Sequence, residues 1–456
     1  MAWDPAADAV AGRGFDVCDR VLGLLAGRAD ALVTCGQGTN ALTRFANSRI
    51  HQNMASDDEH VRLRVVVDGG RIAQASTTRL DEAGLERLVE GTIAAARLCP
   101  ADPEFPGLAE PGSVADVDHF DPATAAASPD ARAEVVADFV GAGPDLEAAG
   151  YCSTDADIHV LCSTSGIRYA SRSTMAQVDA IHRAAAVDGP PTDGYGQITS
   201  KRLSDLDGRR VGDIAAAKAT KGTNPIELDP GTYEVVLEPK AVAAMLLFPA
   251  WLGFNGKAYA EGTSFAHVGE QQFDERVGLW DDGTDPRSLG RPYDAEGTPK
   301  QRLDLVRGGV TVGLAHDRRS ARLAGCESTG SSIGQESFGG YPGDLFLDGG
   351  DDSIEELIAG VERGLLVTDF WYNRILDPKT QVVTGLTRNG LFLIEGGEVT
   401  APVQNMRYTQ SVVGALAPGH VLGLGNDARL VSNEGGIAHV PSLRLAAWSM
   451  TGNAQG

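Results

Sequence analysis

Apolar positions recur at a helical period near the start of the chain. Val10, Phe15, Val17, Val21, Leu22 and Leu25 predict a helix over residues 7–25, ended by Gly27. Short runs rich in alternating or β-branched residues follow: DALVTC, NALTRFANSRIHQN, HVRLRVVV and RIAQAST, separated by Gly, Asn and Asp. They predict short strands, and DEAGLERLVEGTIAAARL then returns to a helical pattern. Helix, strands and helix in that order predict an α+β layout, not the strict alternation of a doubly wound sheet.

A Pro-rich connection over residues 99–111 leads to a predicted helix at 129–140, more strands over 151–200 and a helix at 206–220. The stretch KGTNPIELDPGTYEVVLEP then interrupts any regular element with Gly, Asn and two prolines. The expected division falls there: an N-terminal α+β domain over residues 1–223 and a β-rich, mixed C-terminal domain over 224–456. The second half opens on an apolar helix at 240–254. Many short strands follow, with one late helix in DSIEELIAGVERGLL.

That apolar helix raises a question. LLFPAWLGFNGKAY, residues 246–259, has the spacing of a packed core, yet Pro249 interrupts it, and from Leu246 to Gly253 no side chain can bind a metal or move a proton. An ordinary core helix is the plainest reading, and Phe248, Trp251, Phe254 and Asn255 are the residues that could instead wall a pocket. Pro249 lacks an N–H and crowds the preceding turn, so it should end or kink the helix unless it lies in the first turn.

Charge narrows the partners. With 39 Lys and Arg against 62 Asp and Glu, the net charge is −23, which disfavours nucleic acid and anionic lipid surfaces. The opening MAWDPAADAV has no basic and apolar export pattern, and no apolar run reaches the ~20 residues of a membrane-spanning helix, so a cytoplasmic location is expected. The six cysteines (18, 35, 99, 152, 162 and 326) contain no CxxC and predict reduced, mostly buried thiols.

Candidate chemistry is sparse. No two of the nine histidines are closer than nine residues, so no HExxH or HExxxH exists. His267 with Glu270 would suit a helix, and Cys152, His159 and Cys162 fall close in sequence. The latter read as one strand, with His159 and Cys162 on opposite faces. GSSIG, residues 330–334, matches a hydrolase serine elbow, but a turn-rich loop follows where a helix is required. GQGTNA, residues 36–41, reads as a hairpin turn and not a dinucleotide loop, because a strand pattern follows it. In TRFANSRIHQN, residues 43–53, the donors Arg44, Asn47, Arg49, His51 and Asn53 could grip a peptide backbone or carboxylate. Read as one strand, this segment puts Arg44 on the face opposite the others, and a solvated strand face is the simpler interpretation.

TRFANSRIHQN, YDAEGTPKQRLDLVRGGVTVGLAHDRRSARLAGCESTG, SIEELIAGVERGLLVTDF, NGLFLIEGGEVTAPV and GLGNDARL, in that order, resemble the TldD/PmbA (TldD/TldE) family of metallopeptidase-related proteins. In that family, TldD-type subunits carry HExxxH on an apolar helix with a late cysteine as third zinc ligand. TldE/PmbA-type subunits lack these ligands and pair with a TldD-type chain. Overlaying that helix here on its leading leucine pair puts the six motif positions on Phe248, Pro249, Ala250, Trp251, Leu252 and Gly253. Phe248, Pro249 and Gly253 therefore stand where His, Glu and His would be, and the last cysteine, Cys326, lies far upstream of the C-terminal segment. His439 in that segment cannot replace a three-ligand site.

The resemblance implies a TldE-type subunit with no catalytic or metal residues and no cofactor of its own. Zinc is expected in a HExxxH-bearing heterodimeric partner, and unstructured peptides, including modified-peptide leaders, are the implied substrates. Candidate peptide-contacting residues are Phe248, Trp251, Phe254, Asn255, Arg44, Asn47 and Arg49. Two rivals remain open on the sequence: a stand-alone atypical enzyme recruited to natural-product biosynthesis, and a homodimeric peptide-binding protein.

Overall fold

A computed structural model describes residues 8–185, 191–335, 337–433 and 435–453. The N-terminal half is built on one six-stranded antiparallel sheet. In chain order its strands are β1 (Asp30–Ala46), β2 (Arg49–Val67), β3 (Arg71–Thr77), β4 (Glu147–Ser163), β5 (Arg168–Ala184) and β6 (Thr192–Ser200), arranged 3-2-1-4-5-6. Strands of 17 and 19 residues replace the short ones expected from the sequence. GQGTNA is not a turn: Gly36–Ala41 runs through the middle of β1, paired on both sides. The turn lies six residues later, because Asn47 and Ser48 both adopt positive φ (49° and 57°), the requirement of a two-residue hairpin whose twist matches its strands. TRFANSRIHQN is thus two strands and a turn.

Alternation along these strands divides the sheet into two faces. Val33 and Cys35 of β1, with Val160 and Cys162 of β4, pack under the helices Ala9–Leu25 and Glu82–Leu98. Farther along the same face, Phe45, Cys152 and Val178 meet the helices Pro129–Ala142 and Gly208–Lys221. The other face meets the C-terminal half, where Leu32, Leu161 and Tyr169 surround Tyr293. His159 also points this way, its ring nitrogen 3.2 Å from the Tyr293 hydroxyl. The opposite facing of His159 and Cys162 expected from alternation is what the chain adopts.

The C-terminal half contains two sheets. In one, strand Gly231–Leu237 lies between Arg363–Asp377, its parallel neighbour, and the antiparallel Leu443–Asn453. Met406–Ser411 and Val382–Glu395 continue the order, and Val382–Glu395 returns to pair with Arg363–Asp377, closing the sheet on itself. The other sheet has six short strands, from Val310–Thr311 at one edge to Arg429–Asn433 at the other. Mixed α+β architecture with a strand-dominated second half agrees with the pattern read from the sequence. The late helix is shorter than expected: it covers only Ile354–Ala359, and Arg363 already begins a strand.

Between the two C-terminal sheets runs the helix Pro239–Phe248, buried over most of its circumference, with Lys240 and Leu247 only half-buried. The α-helix ends at Phe248. Pro249 supplies no N–H, and the chain continues as a π-helical turn, Pro249–Gly253, in which the Phe254 N–H donates to the Pro249 carbonyl at 2.8 Å.

Candidate functional site

The helix Pro239–Phe248 borders a large cleft. Lys240, Ala244 and Leu247, spaced four and three residues apart and so on one helical face, form one wall of a cleft of about 330 Å³. The opposite wall comes from β5 and β6 of the N-terminal sheet, through Asp179, Arg183, Asp193 and Tyr195. A third side is strand Arg363–Asp377, which contributes Asp369 through Asn373, and Arg388 and Asn389 come from its neighbour. Register shifts between Val367 and Asp369 and between Trp371 and Arg374 interrupt the ladder here, as bulges do where side chains are re-aimed. Tyr372 has φ +52°, a costly conformation for a bulky residue, and is 63% exposed.

Charges in the cleft are balanced and separated. Arg183 grips Asp193 through two bonds of 2.6 and 2.9 Å. Asp179 accepts from the Tyr195 hydroxyl at 2.8 Å and from Gln197 at 3.0 Å, which fixes it as an anchor for the wall. The Lys240 ammonium donates to the Ser432 carbonyl at 2.8 Å and lies 5.8 Å from the Tyr195 ring centre. Burial, reinforced by Asp179 and opposed by Lys240, pushes the Asp369 carboxyl up to about 7. Arg388 lies over the Trp371 ring at 4.5 Å, and Trp371 meets Tyr372 edge-on at 5.4 Å. Among the described residues the lining contains no Ser, Cys or His. It offers flat aromatic surface and fixed charges of both signs, suited to holding an extended polar chain.

The residues singled out from the sequence fall elsewhere. Phe248 is 5% exposed and stacks on Trp251 at 6.2 Å. Trp251 alone of its group reaches the surface, at 41% exposure, with Phe338 stacked on its ring at 6.2 Å. Phe254 is wholly buried and edge-on to Phe265 at 5.1 Å, which makes it core and leaves it no surface for a peptide. Asn255 is also buried: its carbonyl oxygen caps the helix Gly256–Ala260 by accepting from the Lys257 and Ala258 N–H groups, and its amide donates to the Phe338 carbonyl. Arg44, Asn47 and Arg49 are exposed at the end of the β1–β2 hairpin and do not line the cleft. The aromatic cluster of DFWYNR, residues 369–374, was the available signal for the lining of this cleft, hidden by reading the preceding residues as helix.

The residues at the motif positions do not fit a zinc ion. Phe248 and Gly253 have no donor side chain, and Pro249 has neither a donor nor a carboxylate. The space is also filled: a β-carbon on Gly253 would lie 2.2 Å from the Phe265 ring. Between Leu246, Ala250 and the segment Gly435–Ala438 only a gap of about 20 Å³ remains, with Tyr341 and Asn433 as its polar side chains. His439 stacks on Phe346 at 5.2 Å. His267 and Glu270 lie in a turn-rich loop, not a helix. Among the described residues no three His, Cys, Asp or Glu side chains are grouped to share a metal ion, and no helix is long and apolar enough to cross a membrane.

Residues 230–452 match the family model for the PmbA/TldA metallopeptidase C-terminal domain, and residues 35–96 match that for PmbA/TldA metallopeptidase domain 1. The Metalloprotease TldD homolog of Buchnera aphidicola is 26% identical over 200 residues, 42% of this chain and 39% of that protein, so this alignment spans well under half of the relative. Metalloprotease PmbA of Escherichia coli O157:H7 is 22% identical over 436 residues, 92% of each. The crystal structure of TldE from Thermococcus kodakarensis superimposes with a TM-score of 0.85 over 95% of this chain and 99% of that one, at 19% identity. The chain belongs to the PmbA/TldD family of metallopeptidase-related proteins.

Proposed function

We propose that this chain is the non-hydrolytic, substrate-engaging subunit of a two-chain cytoplasmic zinc peptidase, whose HExxxH motif comes from a TldD-type partner. The substrates are unstructured peptides, such as leader peptides or small proteins undergoing maturation or degradation. The observation that carries the reading is the pairing of a closed helix with an open cleft. Where a metal helix would need His, Glu and His stand Phe248, Pro249 and Gly253, packed against Trp251 and Phe265. The neighbouring turn face of the same helix lines an aromatic, charged cleft instead. Without a metal there is no water of lowered pKa to attack an amide at neutral pH. The role left to this chain is to hold an extended peptide, with Trp371 and Tyr372 as platforms and Asp369, Lys240 and Arg388 as polar contacts.

Co-expression with a HExxxH-bearing family member tests the reading. Mixed dimers should form on native mass measurement, with zinc in about one chain per pair and peptide cleavage only in the mixture. Stoichiometric zinc and full cleavage by the isolated chain would overturn it in favour of a stand-alone enzyme.

A further inference from the structure

Three carboxylates line the cleft, and two of them are closed off by their neighbours. Asp193 is held by Arg183 through two bonds, and Asp179 accepts from Gln177, Tyr195 and Gln197. Asp369 differs. It lines the cleft at 5% exposure, and among the described residues no side chain forms a hydrogen bond or ion pair with it. The Phe370 N–H and the more distant charges of Lys240 and Arg388 favour its ionised form, but burial and the nearby Asp179 outweigh them. Lys240 is held away by the Ser432 carbonyl, to which its ammonium donates at 2.8 Å. A buried carboxylate in this state lacks a cation, and a ligand that brings one offsets the desolvation already imposed by the fold.

The surroundings select the kind of cation. An anion here would meet Asp179 as well as Asp369. A guanidinium favours aromatic faces, and those are already served: Arg388 lies 4.5 Å over Trp371 and Arg374 lies 5.9 Å over Tyr372. A primary ammonium needs no ring face, since it is a compact charge with its donors at the end of a slim stem. Asn389, at φ +61°, adds a polar side chain to the same lining.

We propose that Asp369 is a specificity-determining residue of the cleft and takes a primary ammonium group of the bound peptide, supplied by a free amino terminus or by a Lys side chain. The assignment rests on the reading of the cleft as a peptide-holding site and adds to it the chemistry of the peptide that is held.

Isothermal titration calorimetry on the full chain tests it with four flexible Gly/Ser hexapeptides. One has a free amino terminus; three are acetylated, with a central Lys, with norleucine in its place, or with neither. The two peptides bearing an ammonium group should bind at least about tenfold tighter than their uncharged counterparts, and Asp369→Asn should abolish that margin. A margin confined to the amino terminus or to Lys names the source and supports the proposal equally. A second measurement needs no variant: Lys stays charged from pH 8 to pH 5, whereas Asp369 takes up a proton as pH falls through about 7, so the margin of Lys over norleucine should shrink. Asp179 and Tyr195 from the N-terminal sheet, Lys240 from the helix, and Arg388 and Tyr408 from the C-terminal sheet act on the same carboxyl, and the Asp369→Asn comparison separates its titration from theirs. Equal affinities for all four peptides would overturn the proposal while leaving the cleft as a peptide-holding site. No binding by any of them would overturn it together with the role given to the cleft. A margin that survives in Asp369→Asn, or that does not shrink at pH 5, would assign the recognition to another group and overturn it equally.

Discussion

Gly253 shows how a single position closes a site. Its neighbours Pro249 and Phe254 are tied by the π-turn hydrogen bond, so the backbone has little room to shift, and the Phe265 ring occupies the place of a side chain at 2.2 Å. Phe265 is itself held edge-on by Phe254 and Phe273. Gly253→Ala should therefore cost about 1–3 kcal/mol through overpacking, seen as a lowered midpoint in thermal or urea unfolding. An unchanged midpoint would mean that Phe265 moves aside freely and that the closure is soft. The same reasoning explains why His at this position would meet a ring before it met a metal.

At the scale of elements, strand Arg363–Asp377 carries the most information, since its bulges turn Asp369, Trp371 and Tyr372 into the cleft. Asp369 makes the strand's stability depend on pH. Its carboxyl sits at about 7 when folded, against 3.8 for a free side chain, chiefly because it is buried. Between those values the folded state binds more protons than the unfolded one, so the contribution to stability falls as pH rises from about 4 to about 7 and is level above that. Asp369→Asn removes this slope: its melting temperature should exceed that of the unmodified chain at pH 8 by more than at pH 4. An equal difference at both pH values would mean that Asp369 titrates alike in the folded and unfolded chain. This strand was also where the sequence misled. EEL and LIAG satisfy a helical period, but GLLVTDF alternates weakly because both faces are buried, so periodicity alone could not mark where helix gave way to strand. The helices Ala9–Leu25 and Pro129–Ala142 were legible because each has one wet face and a capping residue, Asp8 and Ser128. The hairpin at Asn47 and Ser48 was not, since Ser is an uncommon choice for a positive φ. The cleft was the least legible feature, because its lining comes from strands nearly two hundred residues apart.

In the whole molecule the cleft exists only while the two halves stay in register, since Asp179 and Tyr195 belong to one and Lys240 and Asp369 to the other. Tyr293 is a deeply buried link between them. It extends from the C-terminal half onto the N-terminal sheet, where its hydroxyl donates to the His159 carbonyl at 2.9 Å, lies 3.1 Å from the Ser171 hydroxyl, and its ring packs 5.3 Å from that of Tyr169. It is 2% exposed. Around it Arg64 pairs with buried Glu296 at 3.5 Å, and His119 is 2.9 Å from the Gly290 carbonyl, so the contact is polar at its rim and aromatic at its centre. Each half has its own hydrophobic core, apart from the small cluster that Tyr293 completes. Tyr293→Ala should empty that cluster and leave the His159 carbonyl without this donor, costing about 3–5 kcal/mol. Because the loss falls on the contact and not on either core, the expected signature is a separation of one unfolding transition into two, with the cleft lost at the first. Calorimetry distinguishes this from uniform weakening. A single transition shifted to lower temperature would mean that the halves are coupled through other contacts strongly enough to fold as one unit without Tyr293.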